Sequence, residues 1–334
     1  MNAAGGDLVE PHGARHWLPW LVGIAFVIAV TWGALHFSEA EEIAALAQRA
    51  NPEWFWVAVA LQLATYAAQS EVWRAIGNAA KFKLHFATLF RLSLAKLFLD
   101  QALPSAGLSG AAGTAKELDD IGMPMPGVMA SVVLNVAGYF FAYAILLMLA
   151  LAILPITTVS LRVVGVAAVL FIAISIAISV SLIWLVGRPQ KKIPSGMRAL
   201  KPVRELFASI EGADRSLVRS RKLIAHSTAC QGAIVLLDAA TVWTLLIALG
   251  TQLHPLVVFA GFMFANMFRT FGVLPGGLGT FEAGAVWMLE SAGASLPAAL
   301  SATLLFRGLS FWLPMLPGAW CAKDLGRHTA QKGV

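Results

Sequence analysis

Charge is scarce in this sequence. Asp, Glu, Lys and Arg occupy 13% of its 334 positions, about half the share of a soluble domain. Most of the surface is therefore expected to meet something other than water. Cysteine is scarcer still: Cys230 and Cys321 stand alone, each in apolar context. No disulfide framework is expected, and both read as small buried hydrophobes. The chain has no H-E-x-x-H, C-x-x-C, G-x-S-x-G or P-loop, the usual signatures of metal, redox, acyl-transfer and nucleotide chemistry. No catalytic residue, metal or cofactor is assigned on this basis. The chain reads as transporter-like, not as an enzyme.

What is abundant is apolar length. Hydrophobic residues make up 58% of the chain and the mean hydropathy is +0.75. The net charge of +6 does not point to nucleic acid, because the basic residues sit in short segments between apolar runs, as in the loops of membrane proteins. A spanning helix needs about 20 mostly apolar residues. Runs near 17–37, 54–76, 125–154, 160–187, 223–249 and 297–321 qualify. The first follows Arg15; at about 20 residues it is longer than a typical signal-peptide h-region and no convincing A-x-A site follows it, so it reads as a retained span. Two further stretches, 84–120 and 256–294, are interrupted midway, at Leu103-Pro104-Ser105-Ala106-Gly107 and at Leu274-Pro275-Gly276-Gly277-Leu278-Gly279. Proline removes a backbone donor and glycine cheapens non-helical dihedrals, so neither stretch should cross as one straight helix.

Charge bias sets the orientation. Segment 188–222 holds ten Lys/Arg against three acids and is expected in the cytoplasm, where it could also contact anionic lipid. The loop 38–53 carries Glu39, Glu41, Glu42 and Glu53 against Arg49 and suits the outer side, while Lys81 and Lys83 place the next turn inside. Threading the chain through these constraints makes each interrupted stretch enter and leave on one side, the two opening to opposite sides. The expectation is an all-α polytopic membrane protein with six spanning helices, two re-entrant helical hairpins and an inverted-topology repeat. Its parts are a cytoplasmic tail 1–16, repeats 17–159 and 160–322, and a cytoplasmic tail 323–334, in a bacterial inner membrane. Leu103-Pro104 pairs with Leu274-Pro275, and Gly122 with Gly293. The second span of each half carries a polar stripe at helical spacing, Gln62, Thr65 and Gln69 in one, Thr228, Gln231, Asp238 and Thr241 in the other.

Non-helical backbone at membrane depth persists only where it is buried in protein or lines a wet cavity. The break residues Pro104, Gly107, Pro275, Gly276, Gly277 and Gly279 therefore point to a site, as does charge in apolar context. Asp238 is centred in its span at an insertion cost of about 3 kcal/mol and needs a partner, with Arg269 or Arg307 in prospect. Glu282 follows the second break, and Lys96 and Asp100 approach the first. These six are the substrate-cavity candidates, with structural ion pairing the competing reading. Gly107, Gly110 and Gly113 share a helix face, which close helix packing explains better than phosphate binding. Glu117-Leu-Asp119-Asp120 reads as a solvated helix end in preference to a metal cluster.

The stretch Leu274-Pro-Gly-Gly-Leu-Gly-Thr-Phe-Glu282, the Leu289–Gly293 turn, and Ala299–Pro317 with Leu305-Phe-Arg307 and Phe311-Trp-Leu-Pro314 resemble the flippase-like membrane domain of lysylphosphatidylglycerol synthases. Asp100-Gln-Ala-Leu-Pro-Ser-Ala-Gly-Leu-Ser-Gly110 fits a stand-alone branch of that family, and the likeness spans roughly 50–322. Gly113-Thr-Ala-Lys116 stands where many relatives carry a Gly-Glu…Arg pattern. The resemblance implies Glu282 and Arg307 as motif positions and lipid transport as the activity. It also implies the absence of a synthetic domain, since the tail 323–334 leaves no room for one, and a separate lipid-synthesising enzyme as a partner. The expected function is a lipid or lipid-linked-precursor translocase acting on membrane lipids. An intramembrane transferase, or a non-catalytic partner of a lipid synthase, are the alternatives.

Overall fold

The computed structural model describes residues 45–46, 48, 50–102, 108–153, 159–186, 212–271 and 275–321. The predicted span 17–37, the first break with Pro104 and Gly107, most of the basic segment 188–222 and the two tails lie outside them. The described residues form helices with no strand: α1 Pro52–Ala79, α2 Phe86–Ala102, α3 Leu108–Asp120, α4 Met125–Ile153, α5 Val159–Leu185, a single turn α6 Arg215–Val218, α7 Arg221–Ala248, α8 Pro255–Phe271, α9 Thr280–Ser291 and α10 Leu296–Cys321.

Four of these, within α4, α5, α7 and α10, are long and apolar enough to cross a membrane. Helix α1 is as long as α7, at 28 residues each, but Gln62, Thr65, Gln69, Glu71 and Arg74 dilute its apolar character. Helices α2, α3, α8 and α9 run 12 to 17 residues, short of the roughly 20 a crossing needs. Exposed Val163, Val166, Leu170, Ile174 and Val180 give α5 a broad apolar outer face, which fits lipid and not water.

Local chemistry fixes the helix ends. Asn51 caps α1 by accepting the Glu53 N–H at 2.9 Å, with Pro52 as first helical residue. Ser220 and Ser295 cap α7 and α10 in the same way. Four C-termini close on a left-handed residue: Lys81 after α1, Gly122 after α3, Gly250 after α7 and Gly293 after α9. In each, that residue's N–H and the next one's return to carbonyls of the last turn, for instance Met123 to Leu118 and Ala294 to Leu289.

The helices on either side of each interruption pack antiparallel. Across α8 and α9, Gly261 faces Met288, Gly284 faces Ala265 and Phe268, and Gly277 faces Arg269, so the order of partners reverses. Across α2 and α3, Gly110 faces Asp100 and Gly113 faces Leu99. A Cβ at either glycine would strike the opposing side chain, so Gly110 and Gly113 serve close packing. Small polar side chains bind the bundle together, as expected where lipid supplies no hydrophobic drive between helices. Ser227 Oγ donates to the Leu134 carbonyl at 2.8 Å, Tyr143 Oη to that of Met263 at 3.0 Å, and Ser179 Oγ to that of Ala137 at 3.0 Å. The largest apolar core lies between α4, α7, α8, α9 and α10, around Tyr143, Leu147, Leu245, Met263, Phe281 and Phe306. Cys321 is buried beside Tyr66, Leu94 and Ala95, and Cys230 is half-buried; both are free thiols.

Candidate functional site

A cavity of about 110 Å³ opens where the two hairpins meet between α1, α7 and α10. Helix α1 lines it with its predicted polar stripe and Tyr66; α2 contributes Lys96 and Gln101; α7, α8 and α10 contribute Asp238, Arg269, and Arg307 with Ser310. Four of the six candidates thus face one space, and the other two stand directly behind it. Asp100 binds Lys96 Nζ at 2.7 Å. Glu282 binds Arg307 Nε at 2.5 Å.

The second break explains why Glu282 and Arg307 are where they are. Pro275–Gly277 makes one 3-10 turn, and Gly276, Gly277 and Gly279 have φ of 63°, 66° and 86°, a region that only glycine enters cheaply. Two of these glycines are also needed for space: a Cβ on Gly276 would strike the Phe311 ring and one on Gly277 would strike the Arg269 stem. The turn leaves backbone groups without helical partners, and the ion pair takes them up. Glu282 Oε2 accepts the Gly279 N–H at 2.6 Å, and Arg307 Nη2 donates to the Gly276 carbonyl at 2.9 Å. The guanidinium lies between the rings of Phe281 and Phe311, 4.9 and 5.1 Å from their centroids. Glu282 and Arg307 are 7% and 5% exposed, so each charge is matched inside the protein, which a buried ion requires.

Of the two partners in prospect for Asp238, the structure favours Arg269 and adds Gln62. Arg307 belongs to Glu282; Asp238 accepts from Gln62 Nε2 at 2.7 Å and interacts electrostatically with Arg269. Arg269 is held further by Tyr139. Next to the cavity, Asn135 Oδ1 accepts from both Gln69 and Gln231, at 3.0 and 2.8 Å, which joins α1, α4 and α7 through neutral amides. The stripe at Gln62, Thr65 and Gln69 already carried that signal in the sequence. Tyr66, Gln101 and Ser310 had no such signal, because an isolated polar residue in an apolar run looks the same whether it faces a cavity or a helix neighbour. Ser310 enters through a π-helical turn, Gly308–Trp312, whose widened backbone lets the Ser310 carbonyl accept from Gln101 Nε2 at 3.1 Å. That bond ties α2, beside the first break, to α10. Among the described residues no group of three metal-ligating side chains forms, and Asp119 is exposed.

A buried charged cavity in an apolar helical bundle, beside a glycine turn held by an ion pair, defines a membrane domain built around a polar site. The family model of the lysylphosphatidylglycerol synthase TM region matches residues 20–318, and the chain belongs to that family. A UPF0104 membrane protein of Methanothermobacter thermautotrophicus is 23% identical over 150 residues, 45% of this chain and 44% of that protein. The match therefore spans under half of the relative's length.

Proposed function

We propose that this chain is a translocase of lipids or lipid-linked precursors, in which the head group passes through the charged cavity while the acyl chains stay in the bilayer. The observation that carries this reading is the meeting of two helix hairpins at one cavity lined by Lys96, Asp238, Arg269 and Arg307. Charged groups inside a membrane are costly and mark substrate or ion paths, and interrupted helices meeting at mid-depth are the usual place for a transporter's site.

The topology belongs to the same proposal: six spans, two re-entrant hairpins opening to opposite sides, and an inverted repeat, with both tails in the cytoplasm of a bacterial inner membrane. Several features support the repeat. Helices α1 and α7 are both 28 residues long, and α2 and α8 both 17. From Pro52 to Arg221, Ala79 to Ala248, Phe86 to Pro255 and Ala102 to Phe271 the displacement along the chain is constant. After the breaks, Gly122 and Gly293 close matching turns. Packing follows the same correspondence. The pair α2 and α3 answers to α8 and α9, α3 and α4 to α9 and α10, and α1 and α2 to α7 and α8, while α1 packs on α7 itself.

No nucleotide-binding motif occurs in the sequence, so movement would be passive or ion-coupled, and the head group would cross without covalent change. The test is the purified full-length chain in proteoliposomes carrying fluorescent lipids, with a membrane-impermeant quencher reading the outer leaflet. Faster equilibration between leaflets than in empty vesicles is expected. An unchanged rate across a broad lipid panel would overturn the reading.

A further inference from the structure

Asp238 differs from the other two acids near the cavity in how little holds it. Asp100 binds Lys96 and accepts the Gly110 N–H, while Glu282 binds Arg307 and accepts that of Gly279. Each of these commits both oxygens to fixed partners. Asp238 takes one hydrogen bond, from Gln62 Nε2 to Oδ1, and attracts Arg269 without a hydrogen bond between them. Its Oδ2 has no partner among the described residues. Nor is it one of the sealed unpartnered atoms, as Gln62 Oε1 and Tyr66 Oη are, so it opens on the cavity. That space of about 110 Å³ exceeds several times over the roughly 10–15 Å³ that one water needs, so water reaches this oxygen.

The relation between the two halves gives a reason to read the charge as functional. The displacement that carries α1 onto α7 carries Gln62 onto Gln231 and Gln69 onto Asp238. The hydrogen bonds obey the same rule: Gln62 donates to Asp238, and Gln231 donates to Gln69 at 3.4 Å. One kind of bond thus crosses the α1–α7 contact twice, and in one copy a neutral amide accepts it. Joining the helices needs no carboxylate. In the neutral copy Asn135 completes the group by accepting from Gln69 and Gln231. Counted from the helix starts, Phe306 takes the place of Asn135 on α10, and it lines the cavity beside Asp238. An ion inside a membrane is costly and marks a substrate or proton path; here it stands where an amide would hold the helices equally well.

The surrounding charges define what titration of Asp238 does. Lys96 of α2, Arg269 of α8 and Arg307 of α10 face the cavity with it, the Tyr66 phenol of α1 stands beside it, and Tyr139 of α4 holds Arg269. With Asp238 ionised, each cation has its acid. When Oδ2 takes a proton delivered by cavity water, the charge of the site rises by one and Arg269 loses its counter-ion. A buried cation without one is unfavourable, so protonation and the entry of one negative charge promote each other, reciprocally.

We infer that Asp238 is the proton site of the translocase. It takes up a proton as a lipid bearing one negative charge enters and releases it as that lipid leaves, so the two cross together without net charge. This inference rests on the translocase reading and is tested apart from it. Phosphatidylcholine vesicles hold the full-length chain and a trace of fluorescent phosphatidylglycerol or fluorescent phosphatidylcholine, with the membrane potential clamped by potassium and valinomycin. Under a pH difference of about one unit, phosphatidylglycerol is expected to gather about tenfold on the alkaline side, the ratio that one proton per lipid imposes. This equilibrium ratio does not depend on which way round the chain inserts. Phosphatidylcholine stays even. Asp238→Asn is expected to leave phosphatidylglycerol even as well, and Asp238→Gln, which copies the neutral half, repeats that result should the shorter amide fail to fold. A second measurement needs no transport. Infrared difference spectra between alkaline and acid pH are expected to show a protonated-carboxyl band in the parent that the amide variants lack.

Phosphatidylglycerol that moves but stays even in the parent, or an undiminished ratio in the amide variants, overturns the proton inference and leaves the translocase standing. A ratio driven by a sodium gradient at equal pH overturns it in favour of a metal cation. Movement of neither lipid overturns the translocase reading itself. The infrared band then decides the proton site alone: its absence from the parent, or its persistence in the variants, overturns that site too.

Discussion

Replacing Glu282 by Gln tests the account of the second break most directly. The carboxylate uses both oxygens as acceptors, one for Arg307 Nε and one for the Gly279 N–H. An amide of the same shape offers one acceptor and one donor, so one of those two N–H groups must face an NH₂ group. The guanidinium, at 5% exposure, is then left with the Gly276 carbonyl and two aromatic faces but no counter-ion. Removing one member of a buried pair costs about 3–5 kcal/mol, and the contacts that Arg307 retains argue for the lower end, about 3 kcal/mol. The pair itself is a different quantity. Arg307→Met removes the cation and leaves Glu282 bonded to backbone, and the double variant removes both charges, so the double should cost about 2 kcal/mol less than the sum of the singles. Unfolding in mixed detergent micelles, followed by tryptophan fluorescence across the four proteins, measures each term. A Glu282→Gln variant within about 1 kcal/mol of the parent, or strictly additive singles, would refute the claim that this pair holds the turn.

Two further outcomes follow from named atoms. Gly277→Ala should destabilise by well over the roughly 1–2 kcal/mol of left-handed strain, because its φ is 66° and its new methyl meets Arg269, whereas Gly293→Ala, with φ of 103° and open space around it, should cost the strain alone; the same micelle assay compares them. Asp214, outside the membrane helices, caps α6, and hydrogen bonds from the Ser216 hydroxyl and N–H hold its carboxyl below the ordinary carboxylate range. Its folded value is the lower one, so the stability it contributes is complete above the unfolded value of about 3.9 and is lost as pH falls through the folded value. Amide-exchange protection at Ser216 and Leu217 should thus drop as pH falls from neutral to below the unfolded value, and Asp214→Ala should abolish that dependence.

Much of the architecture was legible because the bilayer leaves helices so few options. The runs at 125–154, 160–187, 223–249 and 297–321 match α4, α5, α7 and α10 closely, and the Pro275–Gly279 cluster marks a real turn because no other residue type enters those dihedrals in succession. Helix α1 was less plain, since its polar stripe weakens the hydropathy signal for the same reason that it lines a cavity. The charged candidates were found by their cost, as ions in apolar context, and Asp238 with Arg269 was one of the pairings in prospect, but Glu282 with Arg307 was not. Glu282 and Arg307 are 25 positions apart, and only the return of the chain through α9 and α10 aligns them, while Asp238 turned out to answer to Gln62 on α1. Tyr66 and Gln101 carry no charge and follow no period, so nothing local distinguished them from packing residues.

The arrangement around Arg307 also has a mechanical meaning. Its side chain grips the Gly276 carbonyl directly and the Gly279 amide by way of Glu282, so the glycine turn is clamped to α10 at two points. A rotation or slide of α10 would carry the turn with it as one rigid piece. The first hairpin touches that piece through the Gln101–Ser310 hydrogen bond and through Gly318, which packs directly on the Leu94 backbone and Phe98. Arg91 over the Trp320 ring and Cys321 buried against Leu94 and Ala95 complete that contact. The cavity lies along the seam between the two bodies, where one can shift against the other without breaking an ion pair.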